Sequence, residues 1–115
     1  MPVNVSYIPA EDRLDLSFHG NLDVSVSQPV CDICKQVPSN LRSCIIDISE
    51  IERLFDSGVA LLQMLYRRLV GLGTTVVILS DSPEIRDWFP TVARVPAYPK
   101  SMQARDPGYL RTFSA

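Results

Sequence analysis

The strongest chemical signature in the chain is Asp56-Ser57-Gly58, which follows a polar stretch and precedes apolar residues at helical spacing. An acidic residue, a hydroxyl and a glycine at this point predict a helix start, where free N–H groups and the helix dipole favour an anion, including a phosphate on Ser57. Gly58 has no Cβ and allows another backbone to approach closely. Because Asp-Ser is also a common capping pair, a purely structural role stays open.

The three cysteines are weaker candidates for chemistry. Cys31 and Cys34 form a C-x-x-C pair, but inside a predicted helix, whereas a thioredoxin-type site needs the pair at a helix start after a strand. A structural zinc site needs four ligands, and no second ligand pair accompanies them. We interpret the cysteines as small, partly buried apolar side chains and expect no metal and no cofactor. Their odd number also argues against a disulfide framework.

Ser57 could in principle be the nucleophile of a serine hydrolase. A nucleophilic Ser57 would need a base within reach and a group that orients this base. His19, the only histidine, is followed by Gly20 at the predicted end of a strand, with no acidic residue placed to orient it. We therefore expect that the protein is not an enzyme.

The elements that would position the Asp-Ser-Gly segment follow from the apolar periodicity. Residues 3–7 and 14–18 alternate apolar and polar, which predicts two half-buried strands paired antiparallel around a polar turn. Residues 26–37 then change to helical spacing, with Ser27 as the expected cap and Pro29 in the first turn.

The rest of the chain predicts two strand–helix units and a last strand. In order these are a central strand at Cys44–Ile48, a long helix from Ser57 to about Leu72, a strand at Thr74–Leu79, a short helix from Ser82 to Phe89–Pro90 and an edge strand at Arg94–Tyr98. The order β-β-α-β-α-β-α-β predicts an α/β fold, a mixed sheet of about five strands with helices on one face.

Length and composition agree with this fold. The chain has 115 residues, of which 46% are hydrophobic and 21% charged, enough for one modest core. We predict a single domain over 1–115, in which 99–115 form a polar C-terminal tail or a short helix.

The net charge of −2 and the scattered basic residues argue against a nucleic acid as the partner. The apolar runs fall short of the roughly 20 residues of a membrane span, and we expect no signal peptide, because no basic start is followed by an apolar stretch and a cleavage site. We expect a soluble, cytoplasmic protein that does not insert into a membrane.

Four features occur in the order found in one known family. They are the paired N-terminal strands, Gly20-Asn21-Leu22-Asp23 before the first helix, Ile46-Asp47-Ile48-Ser49 as the central strand, and Asp56-Ser57-Gly58-Val59-Ala60-Leu61-Leu62 opening the long helix. With these features the chain resembles the STAS domain, the family of sulphate-transporter C-terminal domains and bacterial anti-sigma factor antagonists.

The resemblance implies a regulatory binding module that acts by partner switching. In the family, an anti-sigma factor, often also a serine kinase of the GHKL ATPase type, binds the surface around the start of the long helix. Phosphorylation of a serine or threonine there breaks the complex, because about two negative charges are added at a packed interface. The resemblance therefore implies a bacterial transcription regulator and phosphoprotein.

Two alignments with the family pattern are open. Without gaps from Asp47 to Gly58, Phe55 takes the position of the family's acidic residue and Asp56 that of the phosphorylated hydroxyl. Asp56 would then be a fixed negative charge. With a loop shorter by one residue, Ser57 is the phosphorylation site beside Asp56, and we favour this second alignment slightly.

The expected partner surface is the loop and helix start at 55–63. The predicted partner-binding residues are Asn21, Asp23, Arg53, Phe55, Asp56, Ser57, Gly58, Val59, Ser80 and Asp81. For Asn21, Asp23 and the Ser80–Asp81 pair, a capping or turn role is the alternative. For Phe55 the alternatives are an anchor for the partner and a plug of the core.

A second function keeps the fold and changes the role. Some small STAS proteins are subunits of lipid or solute transport ATPases and bind the nucleotide-binding subunit, and a fixed charge at Asp56 would suit such a constitutive subunit. Homodimer formation through exposed apolar residues is also open.

Overall fold

The fold is known from a computed structural model, which describes residues 3–82, 85, 87–89 and 92–93. Within these residues the sheet has the strand order β1-β2-β3-β4-β5. Its strands are β1 (Val3–Ile8), β2 (Arg13–Leu22), β3 (Ser43–Leu54), β4 (Thr75–Leu79) and β5 (Val92–Ala93). The pair β1–β2 is antiparallel and the other neighbours are parallel. The predicted α/β fold with a mixed sheet of about five strands is confirmed.

Two helices make the crossovers between parallel strands. Helix α1 (Ser27–Gln36) connects β2 to β3, and helix α2 (Asp56–Gly71) connects β3 to β4. Both lie where the helical spacing predicted them. The predicted cap at Ser27 is wrong, because a 3₁₀ turn at Val24–Val26 runs directly into α1 and Ser27 is already helical.

The hydrophobic core lies between one face of the sheet and both helices. Alternate residues of the strands supply one side, and the apolar stripes of α1 and α2 supply the other. Fully buried members are Leu16, Phe18, Ile46, Ile78, Val30, Leu62, Leu65 and Leu69. The helices therefore cover one face, as predicted.

Two of the three cysteines take part in core packing, as interpreted from the sequence. Cys44 is fully buried in the core, and Cys34, on α1, packs against this core. Burial raises the pKa of both thiols. The thiol of Cys44 is therefore protonated in the folded protein at neutral pH.

The opposite face of the sheet carries polar groups of β1 and β2. The buried guanidinium of Arg13 donates to both carboxylate oxygens of Asp15, at 2.6 and 2.8 Å. Nε2 of His19 lies 3.0 Å from the amide of Asn4 and 3.3 Å from the hydroxyl of Ser17.

Strands β2 and β3 extend further than the sequence predicted. The segment Ser49–Leu54, expected as a loop, continues β3 and pairs in parallel with His19–Leu22 of β2. The pairing is interrupted by two shifts of register, and Gly20 has φ 72° in the left-handed region. These irregularities break the strict alternation by which a strand is recognised in sequence. We call this two-stranded extension, 19–22 with 49–54, the ribbon.

The predicted elements near the C-terminus are only partly visible. Of the short helix expected from Ser82 to Phe89–Pro90, positions 83, 84, 86 and 90 lie outside the described residues, and the amides of Trp88 and Phe89 donate to the carbonyl oxygen of Ile85 as in a helical turn. The strand expected at Arg94–Tyr98 and the tail at 99–115 lie wholly outside the described residues. Among the described residues, no helix is both long enough and apolar enough to cross a membrane.

Candidate functional site

The start of α2 is clamped against the end of β2 by backbone contacts. The amide of Phe55 donates to the carbonyl oxygen of Leu22 at 3.0 Å. A Cβ placed on Gly58 would lie 2.0 Å from the same oxygen, so no larger residue fits here without movement of the backbone. The close backbone approach predicted for Gly58 is confirmed. We call this contact the glycine clamp.

The clamp leaves the first residues of α2 with outward-facing side chains. The N-cap of α2 is Phe55, and no side chain caps this helix. Asp56 and Ser57 are the first two helical residues and both are exposed. The capping role considered for this pair is therefore wrong. The Asp56 carboxylate lies in the first turn, where the helix dipole stabilises a negative charge.

The ribbon and the turn after it place further predicted partner-binding residues, Asn21, Asp23 and Arg53, near the start of α2. Asn21 and Arg53, both expected in loops, are opposite each other in paired strands, and both are exposed. Asp23 accepts a hydrogen bond from the amide of Ser25 at 2.8 Å, which confirms the turn role. Hydrogen bonds from Ser25 hold the pKa of Asp23 below its usual value.

A shallow cavity of about 160 Å³ lies between the ribbon and the end of β4. Leu54 and Ile51 line it from β3, and Ser80 and Asp81 line it from the segment after β4. Ser80 is buried, and its hydroxyl accepts from the amide of Ser82 at 3.0 Å, a turn role. Asp81 is exposed. Ser80 and Asp81 thus lie at the same edge as the helix start, as predicted.

Three large apolar side chains are exposed around the helix start. Phe55 is 41% exposed, so the plug considered for it is wrong. Val24 is 67% exposed in the 3₁₀ turn, which packs against α2, and Met64 is 40% exposed two turns after Ser57. Val59, in contrast, is buried.

Sequence reasoning missed Val24 and Met64. Val24 stands between Asp23 and Ser25, where a lone apolar residue in a polar turn is a signal for an exposed contact. Met64 is seven positions after Ser57, which places both residues on the same side of a helix. We call Val24, Phe55, Asp56, Ser57 and Met64 together the recognition surface.

The exposed charges around the recognition surface are mostly negative. Glu52 and Arg53 lie on the ribbon, Asp56 on the helix, and Asp81 beyond the cavity. Arg53 is the basic residue in this group. The exposed charged residues near the helix start are therefore mostly acidic.

The mixed sheet, its two crossover helices and the clamped helix start define the chain as a domain with the STAS fold. The anti-sigma factor antagonist SpoIIAA in its unphosphorylated form has this fold, with a TM-score of 0.63 and 16% identity over 93% of this chain and 97% of that one. The phosphorylated form of the Bacillus cell fate determinant SpoIIAA gives a TM-score of 0.62 and 17% identity over 90% of this chain and 97% of that one.

A part of a longer protein is also similar. Mglu matches with a TM-score of 0.60 and 24% identity over 72% of this chain, but over only 20% of its own length. The chain thus spans about a fifth of Mglu. No family model and no curated protein matches the chain.

Proposed function

We propose that the chain is a bacterial regulator of the anti-sigma factor antagonist type, a binding module and not an enzyme. Its partner is an anti-sigma factor that is also a serine kinase of the GHKL type, and phosphorylation of Ser57 switches the complex off. The observation that carries the proposal is an exposed serine at an uncapped helix start, beside an exposed aromatic residue. The similarity in fold to SpoIIAA supports it.

The recognition surface has the composition of a protein interface. Aromatic side chains dominate binding hot spots, which lie in an apolar centre with a polar rim. Phe55 supplies an exposed aromatic side chain, Val24 and Met64 are further exposed apolar residues, and Glu52, Arg53 and Asp81 are exposed charged residues.

A phosphate on Ser57 would add about two negative charges next to the carboxylate of Asp56. In a packed interface those charges must be desolvated or paired, and a partner matched to the single carboxylate has no cation for them. The modified chain would therefore bind more weakly.

Of the two alignments, we favour the one in which Ser57 is phosphorylated over the one in which Asp56 permanently mimics a phosphorylated residue. The hydroxyl of Ser57 makes no capping bond and faces outward at the second helical residue. Free N–H groups and the positive end of the dipole at that position favour a phosphate. Asp56 then serves as the fixed negative charge that the partner recognises when Ser57 is not phosphorylated.

The surroundings of His19 support the absence of hydrolase activity in this proposal. Its ring nitrogen faces the Asn4 amide and the Ser17 hydroxyl on the sheet face opposite the helices. Ser57 lies at the start of α2 instead. Purified chain offered general ester and phosphoester substrates should give the same rate as a Ser57→Ala variant.

The modification is tested by mass spectrometry of the chain purified from its native cells under several growth conditions. Trypsin releases Leu54–Arg67, in which Ser57 is the only serine or threonine. We expect this peptide to carry one phosphate under some condition and Ser57→Ala to carry none. Ser6→Ala, which changes an exposed serine on β1, is the matched control and should keep the phosphate. An unmodified peptide under every condition, with a stable partner still bound, contradicts the switch.

The partner surface is tested by affinity purification with the tagged chain. Phe55→Ala should lose the partner, because it removes the exposed aromatic side chain, while the fold and the thermal transition are kept. Tyr7→Ala is the control, since Tyr7 is an exposed aromatic residue on β1. Retention of the partner by Phe55→Ala, or its loss by Tyr7→Ala, contradicts the assignment of the surface.

A further inference from the structure

Strand β1 forms one edge of the sheet as far as the described residues show, and its own residues carry no feature that protects such an edge. Within the described residues it pairs with β2 alone. Natural edge strands are blunted by charged side chains, proline or a bulge, and Val3–Ile8 contains none of these. Val5 and Tyr7 are about half exposed, at 54% and 51%.

An apolar groove adjoins this edge on the face that carries the helices. Its volume is about 170 Å³, and Val5 and Leu14 line it from the sheet. Ile33, Val37 and Pro38 line it from the end of α1 and the segment after it. The edge therefore offers unpaired main-chain groups together with an apolar wall on one side.

We propose that a second copy of this chain pairs with β1 in antiparallel orientation. The two copies are related by a two-fold axis that is perpendicular to the sheet and passes midway between their Val5 residues. Such an axis keeps the helix-bearing faces of both copies on the same side. Val5 then lies opposite Val5 of the second copy, and Val3 lies opposite its Tyr7. On the other face, Asn4 lies opposite Ser6 of the second copy.

The sequence of β1 is what selects a second copy as the occupant. In this register Val3, Val5 and Tyr7 meet apolar residues, and Asn4 and Ser6 meet polar ones, the pairing that stabilises neighbouring strands. A register centred on Ser6 would instead place Ile8 opposite Asn4. Because β1 has no charged residue, the two copies meet without like-charge repulsion. The Val5 side chains also extend the apolar groove of each copy into that of the other.

The proposed dimer does not depend on the proposed function. Residues of β2 pair with β1 from Arg13 to Phe18, and the ribbon and the glycine clamp at Leu22 lie beyond this paired part. Dimer formation through β1 would therefore leave the recognition surface of each copy exposed. Failure of the dimer would therefore leave the partner-switching proposal standing, and the reverse is also true.

The oligomeric state of the full chain is tested by sedimentation over a range of concentrations. We expect a monomer–dimer equilibrium in the unmodified chain and a monomer for Val5→Lys, because a charge on the edge would face its own copy. Val70→Lys is the matched control, since Val70 is an exposed valine on helix α2, outside β1 and outside the lining of the groove, and it should dimerise normally. Circular dichroism checks that each variant is folded.

Cross-linking tests the register without relying on the lysine variant. Directly opposed residues of antiparallel strands have Cβ atoms about 5 Å apart, so Val5→Cys should form a disulfide-linked dimer when diamide oxidises the two thiols. The unmodified chain controls for the native cysteines, and Ser6→Cys, which faces Asn4, should cross-link much less. The proposal is overturned by a chain that is monomeric at all concentrations, by a dimer that Val5→Lys leaves intact, or by equal cross-linking of both cysteine variants. A different protein found on β1 of a monomeric chain also overturns it.

Discussion

The two helices of this domain begin in opposite ways, although both follow a parallel strand of the same sheet. Ahead of α1, the side chain of Asp23 accepts a hydrogen bond from the amide of Ser25 and fixes the 3₁₀ turn that leads into the helix. Ahead of α2, no side chain caps the helix, and the backbone clamp between Gly58 and Leu22 sets its position.

The difference shows how a helix can be positioned while the polar side chains at its start stay exposed. A capping side chain uses its polar atoms within the molecule. The glycine clamp achieves the positioning with main-chain atoms, so the polar atoms of Asp56 and Ser57 stay at the surface. The start of α1 thus uses its acidic side chain within the fold, whereas the start of α2 leaves two polar side chains at the surface.

The largest effect is expected from a side chain added at the clamp. Gly58→Ala places a Cβ 2.0 Å from the Leu22 carbonyl oxygen, so the start of α2 must move. We expect the free energy of unfolding to fall by about 3 kcal/mol, measured by urea unfolding followed by circular dichroism.

The control for this variant is another glycine of the same helix. A Cβ on Gly71 would meet no atom within 4 Å, so Gly71→Ala should be neutral or stabilise the fold by up to about 1 kcal/mol. An equal loss of unfolding free energy in the two variants would mean that helix α2 is sensitive to substitution of any glycine. The close contact between Gly58 and Leu22 would then not explain the effect.

A smaller effect is expected at the start of α1, and it should depend on pH. Asp23→Ala removes the hydrogen bond to Ser25, so it should lower the melting temperature near neutral pH. Because hydrogen bonding lowers the pKa of Asp23 in the folded state, the carboxylate contributes stability above its unfolded pKa of about 3.9. That contribution is lost as the pH falls through the folded pKa.

The measurement is a pair of melting curves, for the unmodified chain and for Asp23→Ala, at several pH values. Their difference should be constant near neutral pH and shrink in acid. A difference that grows as the pH falls would have the wrong sign for this carboxylate.

The smallest effect is expected at Ser57. Since its side chain makes no cap, Ser57→Ala should change the free energy of unfolding by less than about 0.5 kcal/mol. Loss of a real N-cap costs about 1 kcal/mol, so chemical unfolding separates the two cases. A loss of that size at Ser57 would show that the two helix starts are alike.

The sequence predicted the elements that depend on periodicity. The alternation in β1 and β2 and the helical spacing in α2 follow from burial of one face, and the core residues obey it. The close approach at Gly58 was also predictable, because glycine destabilises a helix relative to alanine and is therefore expected there where the backbone leaves no room for a Cβ.

The ribbon and the helix caps were not predictable in the same way. Ser49–Leu54 is polar at several positions and pairs with residues some thirty positions earlier through shifted registers, so no local pattern marks it as a strand. Whether Ser27 or Ser57 caps a helix depends on where the preceding turn or clamp places the first helical residue. Contacts distant in sequence decide that placement.

The ribbon also has a consequence for protein engineering. Strand β4 accompanies β3 only from Ser43 to Asp47, so within the described residues the segment Ser49–Leu54 has its strand partner in β2 alone. A designer who wished to transplant the recognition surface onto another scaffold could not move the helix start by itself. The smallest portable unit is a two-piece graft of Gly20–Val24 and Ser49–Met64, and the host sheet must offer two adjacent parallel strands to receive it.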